Sequence, residues 1–441
     1  MHKRSKRILI GIAVLVALLG AGYAIALAKA TSSLRQAYAA LAKDGRPMNT
    51  ADFIPPQIPD EQNGAVLYEK AASLLKTQQM GRKTFLEVLA DRSSGFVRGS
   101  LDPEDLAEYR QWMGQQAVSS ALGLAEQAAQ RPAFRSRRDY QSDPLKDLPL
   151  LDDIRDLARI LGARAHAEIQ ANEPDKAWST VLTQLRMARA LAGEPLCEGQ
   201  RVHCHMVGLA CASIRRLCET AMPSEDNAQA IEGLLSSLDL TGAVVHALDS
   251  ERLLRGEWLF NLPEDRLRQV LRRAPLGHDS RLFVSTAAFR PRLVADHATY
   301  LQTLHQSTQL ALRPYSLQDA NAATQIRELA SKRFLTQNLS YMVCFSREFA
   351  YRAAADVSMT RAGLGVLRYR RAQGAFPQTL EVLSLKGLID PYTKGPLHYR
   401  AEADGFVVYS ESEDMKDNGG TVRQRDQKTD YDQVWRFPNP E

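Results

Sequence analysis

The chain has 441 residues, of which 44% are hydrophobic and 24% charged; this is ordinary globular usage, long enough for two or three domains and unlike a disordered chain. Its formal net charge of +5 falls close to neutrality once the four basic residues ahead of the first apolar run are set aside. That balance excludes the strongly basic footprint of a nucleic-acid binder.

The first element is Ile8 to Leu27, ILIGIAVLVALLGAGYAIAL, which carries no charged side chain. At helical rise it is about long enough to cross a hydrocarbon core of roughly 30 Å. Lys3, Arg4, Lys6 and Arg7 precede it and only Lys29 follows closely, so the positive-inside bias predicts a cytoplasmic N-terminus and an exported body. A cleaved signal peptide is the alternative, because Ala26-Leu27-Ala28 and Ala28-Lys29-Ala30 have the small-x-small pattern of a cleavage site. The run exceeds the usual h-region of about 7 to 15 residues, which favours an uncleaved, single-pass anchor in a bacterial inner membrane with the bulk of the chain periplasmic. Residues 1–30 are therefore read as basic tail and transmembrane anchor.

Ser33 to Lys43 reads as a helix continuing the anchor outward. Gly45, Pro47, Pro55, Pro56 and Pro59 then fall within fifteen residues, which is incompatible with regular helix or central strand. The expectation over 31–62 is a membrane-proximal helix and a stiff, semi-extended spacer that holds the body off the membrane.

From 63 to 345 apolar residues return at three- and four-residue intervals among Ala, Leu, Gln, Glu and Arg, which predicts helix after helix. Ala65 to Leu75 begins the series. Ser100-Leu101-Asp102-Pro103-Glu104 starts another helix, with a polar cap ahead of a first-turn proline. Arg131 to Asp143 reads as a loop joining two helical sections. Asp153 to Gln170 and a helix from Lys176 form the clearest pair, separated by Ala171-Asn172-Glu173-Pro174-Asp175. This hairpin is tetratricopeptide-like, but no fixed period extends across the rest, and an array of that type needs about three or more copies. The domain is read as an irregular helical array.

Cys197, Cys204, Cys211 and Cys218 recur every seven residues, nearly two helical turns, and so lie along one slowly drifting stripe. Neighbours on it are about 10 Å apart along the axis, too far for disulfides between them. They read as small buried hydrophobes in a helix interface; a disulfide from Cys344 to one of them, or from Cys197 in a frayed helix start, is the alternative in an oxidising compartment. His203-Cys204-His205 invites a metal reading, yet residues two apart point to different sides of a helix. His246 with Asp249 and Glu251, and His297 with His305, read as solvated or hydrogen-bonded helix residues. Ser250 and Ser285 lack nucleophile-elbow glycines, and neither GxGxxG nor a P-loop occurs. No constellation in the chain predicts an enzyme.

Residues 346–441 change character. A long helix is predicted from roughly Gln325 to Arg371, ending at Gln373-Gly374. Beyond Phe376-Pro377 come a short helix around Leu380 to Leu388, turns at Asp390-Pro391 and Gly395-Pro396, and two short strands at Leu397-His398-Tyr399 and Gly405 to Ser410. Asp417-Asn418-Gly419-Gly420 reads as a tight loop and Tyr431 to Phe437 as a last strand.

The run YRRAQGAFPQTLEVLSLKGLIDPYTKGPLHY, followed by GFVVYSESEDMKDNGG and a late Asp-rich strand, resembles the C-terminal part of the major pseudopilins of type II secretion. The resemblance covers roughly the last ninety residues. The pseudopilin N-terminal signature is absent from Met1 to Leu27, and nearly three hundred mostly helical residues intervene, so an ordinary filament subunit is not expected. The whole chain resembles a class of uncharacterised membrane-anchored helical proteins of planctomycete-like bacteria, through PPQIPDEQNGAVLYEKA, ARAHAEIQANEPDKAW and ALDSER. The pseudopilin resemblance implies calcium in the acidic loop, at Asp414, Asp417, Asn418, Asp430 and Asp432; a solvated acidic turn is the plainer reading. Calcium takes six to eight hard oxygen ligands, which carboxylates and turn carbonyls supply.

The fold expected is thus mainly α: a transmembrane helix, an irregular helical array with TPR-like hairpins, and a small α+β pseudopilin-like module. The function expected is a non-enzymatic envelope scaffold offering a grooved helical surface to protein partners. The alternatives are a secretion- or pilin-associated component docking through its terminal module, and an envelope hydrolase whose site is dispersed in sequence.

Overall fold

In the computed structural model, which describes residues 2–76, 79–80, 83–84, 103–140, 149–273, 289–317, 319–340, 343, 346–423 and 430–439, the apolar run is the first half of one unbroken helix, α1 (His2–Lys43). Along the run the large side chains point outward, Ile8 being 63% and Ile25 68% exposed. Among the described residues this is the one helix whose exposed apolar stretch is long enough to cross a membrane. Neither Gly nor Pro interrupts Ala28 to Lys43, so the helix continues past it. Ala30, Ala37 and Leu41 are buried there, against α11 (Phe289–Ala311). Tyr38 of this stretch donates to Glu257 at 2.8 Å, and Asp44, just beyond the helix, lies 3.1 Å from His305.

The Pro-rich segment is not a spacer. Proline keeps it out of regular structure, but its backbone groups and side chains find partners on the body. Arg46 pairs with Asp249 at 2.5 Å, and the Pro47 carbonyl accepts from Arg252. Phe53, in a short 3-10 turn at Thr50–Phe53, is buried with Tyr140, Leu196, Leu253 and Leu254 and stacks on His246. Arg135 donates to the Pro55 carbonyl at 3.0 Å. The segment is a strap across the helical body.

Asn63 then starts α2 (Gly64–Leu75): its Oδ1 accepts from Ala65 N, capping the helix, and from Arg135 N. A two-stranded ladder, β1 (Gln79–Met80) and β2 (Lys83–Thr84), follows. The next helices are α3 (Pro103–Met113), α4 (Gln116–Ala129), α5 (Pro149–Gln170), α6 (Pro174–Ala190) and α7 (Cys197–Cys218). Pro103 opens α3 as expected, while Ser100 to Asp102 lie outside the described residues. The expected loop from Arg131 is irregular chain through Tyr140, the remainder lying outside the described residues. The α5–α6 hairpin forms where the sequence breaks: Asn172 adopts φ 60° and Pro174 occupies the first turn of α6.

The α5–α6 pair packs on α7, whose cysteines are all buried and free thiols; Cys344 lies outside the described residues. Burial pushes Cys204 and Cys211 up to about 12. The stripe is packing, as the plainer reading expected. Next come α8 (Glu225–Ser236) and α9 (Leu240–Ser250). The latter runs on through wider π turns at Glu251–Glu257. A Cβ at Gly256 would lie 2.0 Å from the Tyr300 ring, whose hydroxyl donates to the Glu251 carbonyl at 3.1 Å; the widened turns and the glycine give that ring its place.

After α10 (Glu264–Arg273) and α11, the single long helix expected from Gln325 is three pieces: α12 (Asp319–Ser331), α13 (Phe334–Leu339) and α14 (Ser346–Gln373). The break has a physical cause in buried Asp296 of α11, whose carboxylate accepts from Leu335 N at 3.0 Å and Thr336 N at 2.8 Å. Those are first-turn donors that a continuous helix would have used internally. The helix ends at Gly374, with φ 78°.

The terminal module follows. The expected helix around Leu380 is a single 3-10 turn, Leu380–Leu383. Asp390 closes the Asp390-Pro391 turn, accepting from Tyr392 N, Ser410 Oγ and Glu411 N. The sheet is antiparallel in the order β3 (His398–Ala401), β4 (Phe406–Ser410), β5 (Gln433–Phe437). All of β4 is buried because it is central. Gly363 of α14 brings the module in: a Cβ there would lie 1.9 Å from Trp435, so only glycine lets the indole lie against the helix. Through α7–α14 and α14–β5 contacts, α14 joins the helical body to the sheet.

Candidate functional site

A cleft of about 590 Å³ opens where α7, α14 and β5 meet. Helical spacing builds its floor: Arg201, His205, Gly208, Ala212, Arg215 and Glu219 recur at three- and four-residue intervals and share one face of α7. Arg352 and Asp356 enter from α14, and Trp435 and Arg436 from β5. The cleft thus gathers five guanidinium groups, those of Arg201, Arg215, Arg216, Arg352 and Arg436, from three parts of the chain.

Most of these charges are answered within the fold. Arg201 pairs with Glu198, Arg215 with Asp356, Arg436 with Glu402 at 2.7 Å, and Arg352 reaches Glu413 at 3.7 Å. Arg216 has no ion pair or side-chain hydrogen bond among the described residues. Burial alone pushes its pKa down from the ordinary guanidinium value, although such a group stays charged at any physiological pH. Glu219, at the rim, accepts from Asn439 N at 3.3 Å, and partial burial raises its pKa. His205 has an open edge, yet desolvation by its surroundings, and then Arg159, Arg155 and Arg201, hold its pKa down to about 4. At neutral pH it is an uncharged donor and acceptor. Cys204 also borders the cleft, but its raised pKa keeps the thiol protonated and a poor nucleophile. The arrangement can hold an anionic group: Arg216 supplies the uncompensated charge, and neighbouring guanidinium groups supply donors in fixed forks.

The acidic loop is brought together as a cluster, but its oxygens serve the backbone. Asp432 accepts from Asn418 N at 3.3 Å, Gly420 N at 2.8 Å and Thr421 N at 3.3 Å. Asp414 accepts from Asp430 N at 2.8 Å and Asn418 Nδ2 at 3.1 Å; Asp417 accepts from Tyr409 Oη and Gly419 N. Asp430 lies 3.6 Å from Lys416. Among the described residues no group of three or more His, Cys, Asp or Glu side chains is placed to hold a metal ion. As oriented, this donor set fits the amides that close the loop rather than a calcium ion.

The remaining sequence candidates do not converge. His203 sits 2.6 Å from the Ala188 carbonyl on the buried side of α7, away from His205. His246 lies on Phe53, Asp249 pairs with Arg46, and Glu251 holds Arg255 at 2.6 Å and Cys197 N at 3.2 Å. His297 stacks on Phe260 and faces Glu257 at 3.7 Å. Ser250 is fully buried, and Ser285 lies outside the described residues. The basic face of α7 lies beside the cysteine stripe, and its three- and four-residue period from Arg201 to Glu219 is the one sequence signal of the cleft. No protein-family model, curated protein or solved structure matches the chain.

Proposed function

We propose that this chain is a membrane-anchored scaffold of the cell envelope that receives an acidic segment of a protein partner in the arginine cleft, and that it works by binding rather than catalysis. The carrying observation is Arg216, a partly buried cation without an acidic partner among the described residues, in an open cleft already rich in guanidinium groups. A partly buried cation without a counter-charge is costly alone and gains when an anion completes it. The cytoplasmic N-terminus and the outward-facing body belong to the same proposal and rest on Lys3, Arg4, Lys6 and Arg7 ahead of the span.

Crosslinking in intact cells followed by pulldown of the full chain beside Arg216→Glu tests the reading. Partners captured by the native chain and lost with the reversed charge support it; an unchanged set of partners, or none, overturns it.

A second reading, docking of the terminal module onto pilin-like subunits, is favoured by the way a three-stranded antiparallel sheet sits on one long helix through Trp435 and Gly363. Truncation after Gln373 removes β5 from the cleft as well as the terminal module, so it loses partners under either reading, and the charge reversal at Arg216 separates the two. Under the second reading Arg216→Glu leaves pilin-like partners in place.

A further inference from the structure

The terminal sheet has two edges, β3 and β5. Strand β3 contributes no residue to the arginine cleft, whereas β5 contributes three in a row, Val434, Trp435 and Arg436. Side chains along a strand alternate between two faces, so a cavity bordered by three consecutive residues meets the strand from its edge. What the strand offers there is main chain.

The pairing phase shows which groups are open. Glu402 N donates to the Gly405 carbonyl at 2.8 Å, and bonded pairs recur at every second residue of an antiparallel ladder. Val407 and Tyr409 of β4 therefore turn their main chain to Arg400 and His398 of β3, while Phe406, Val408 and Ser410 turn theirs to Phe437, Trp435 and Gln433 of β5. Val434 and Arg436 are left with N–H and carbonyl pointing outward. Among the described residues none of these four groups has a hydrogen bond. Asp432, two residues earlier on the same side, is already used: its N–H donates to the Thr421 carbonyl at 2.8 Å, in a parallel bridge between Val422 and Asp432. The chain thus sets a strand-like partner of its own on this edge, and the edge beyond it borders the arginines.

We infer that the acidic segment received by the cleft binds as an extended strand added to the outer edge of β5, its main chain on Val434 and Arg436 and its carboxylates at alternate positions. The inference rests on the reading of the cleft as an anion site. Strand addition takes affinity from main-chain bonds and specificity from alternate side chains. Residues of the added strand that share the face of Trp435 point toward α14, where the indole lies on Gly363, and so toward the side of the cleft that carries Arg216 and Arg352. The partner's carboxylates must then recur at i and i+2, where a helical segment would need i and i+3 or i+4.

The test uses the full chain in detergent and a fluorescent seven-residue peptide alternating glutamate with valine, with binding followed by anisotropy. One version carries methyl groups on the main-chain nitrogens of its valines, another on those of its glutamates. A strand bonded along one edge tolerates methyl on amides that face away and not on amides that face β5. The expected result is a loss of about tenfold or more for one version and binding within about twofold of the parent for the other. Methylated valines fail if the added strand is antiparallel, methylated glutamates if it is parallel. Val434→Pro removes one outward donor and fills the edge with a ring, a substitution that edge strands tolerate. It should weaken the parent peptide to the same degree with thermal unfolding unchanged; if it unfolds, the methylated peptides on the native chain decide alone. Equal behaviour of the two methylated peptides, or undiminished binding to folded Val434→Pro, overturns the strand assignment. A parent peptide that binds Arg216→Glu as well as the native chain, or fails to bind the native chain at millimolar concentration, overturns the anion site and the strand with it. Loss on Arg216→Glu with equal behaviour of the methylated pair removes the strand alone, which keeps the two failures apart.

Discussion

The Arg215 guanidinium of α7 and the Asp356 carboxylate of α14 pair across the joint between the helical body and the helix that carries the terminal sheet. Both side chains are mostly withdrawn from solvent, at 17% and 18% exposure, so each is the counter-ion that offsets the other's desolvation.

Removing one partner should therefore cost more than removing both. Asp356→Ala leaves Arg215 charged and unpaired and should destabilise the chain by about 3 kcal/mol. Arg215→Leu combined with Asp356→Leu should recover most of that loss. Urea unfolding in detergent, followed by circular dichroism, reads the difference; a double variant that loses the sum of the two single losses would show that the pair is not coupled.

His203 predicts how stability responds to acid. Burial lowers its pKa from 6.5 to about 4, against the raising effect of its hydrogen bond to the Ala188 carbonyl. Between those values the unfolded chain binds a proton that the folded chain refuses. This contribution is complete above about pH 6.5 and lost as pH falls toward 4, amounting to about 2 kcal/mol at pH 5. His203→Asn keeps a donor for Ala188 O without titrating. Its unfolding free energy should fall less between pH 7 and pH 5 than that of the native chain.

Gly363 is expected to be intolerant of even one added carbon. Gly363→Ala places a methyl 1.9 Å from the Trp435 ring and should lower stability by about 1–3 kcal/mol while loosening β5 from α14. Trp435→Leu in the same chain makes room and should restore part of the loss. Limited proteolysis between the helix and the sheet, faster in Gly363→Ala than in the double variant, is the corresponding local readout.

Asp432 is expected to act through the backbone. Asp432→Ala strands three N–H groups, those of Asn418, Gly420 and Thr421, and should lower the melting temperature by the same amount in chelator as in millimolar calcium. A melting temperature that rises with calcium in the native chain, and no longer does so in Asp417→Ala, would show instead that the loop rearranges around the ion.

Features set by neighbours in sequence were legible: the Asn172-Glu173-Pro174 break, the Gly374 stop and the strands around Phe406 each depend on residues within a turn of one another. What could not be read depended on partners far away. Nothing in Gly45 to Pro59 announces that Arg252, about two hundred positions later, takes the Pro47 carbonyl, so proline chemistry alone suggested a free spacer. Periodicity through Gln325 to Arg371 is helical throughout, and the break is imposed from outside by Asp296. The arginine cleft is dispersed over α7, α14 and β5 and becomes a site only once Trp435 settles on Gly363.

Helix α1 has 42 residues and so is about 63 Å long, and no joint separates its exposed apolar part from the part buried in the body. With the Pro-rich strap fastened back, the body stands on a mast instead of swinging on a tether. If the apolar run is the anchor proposed above, the cleft keeps a set height and heading relative to the bilayer. Any tilt that fits that run to the local hydrocarbon thickness would then turn the whole body with it, and bilayer thickness would become a mechanical input that sets the angle of the cleft.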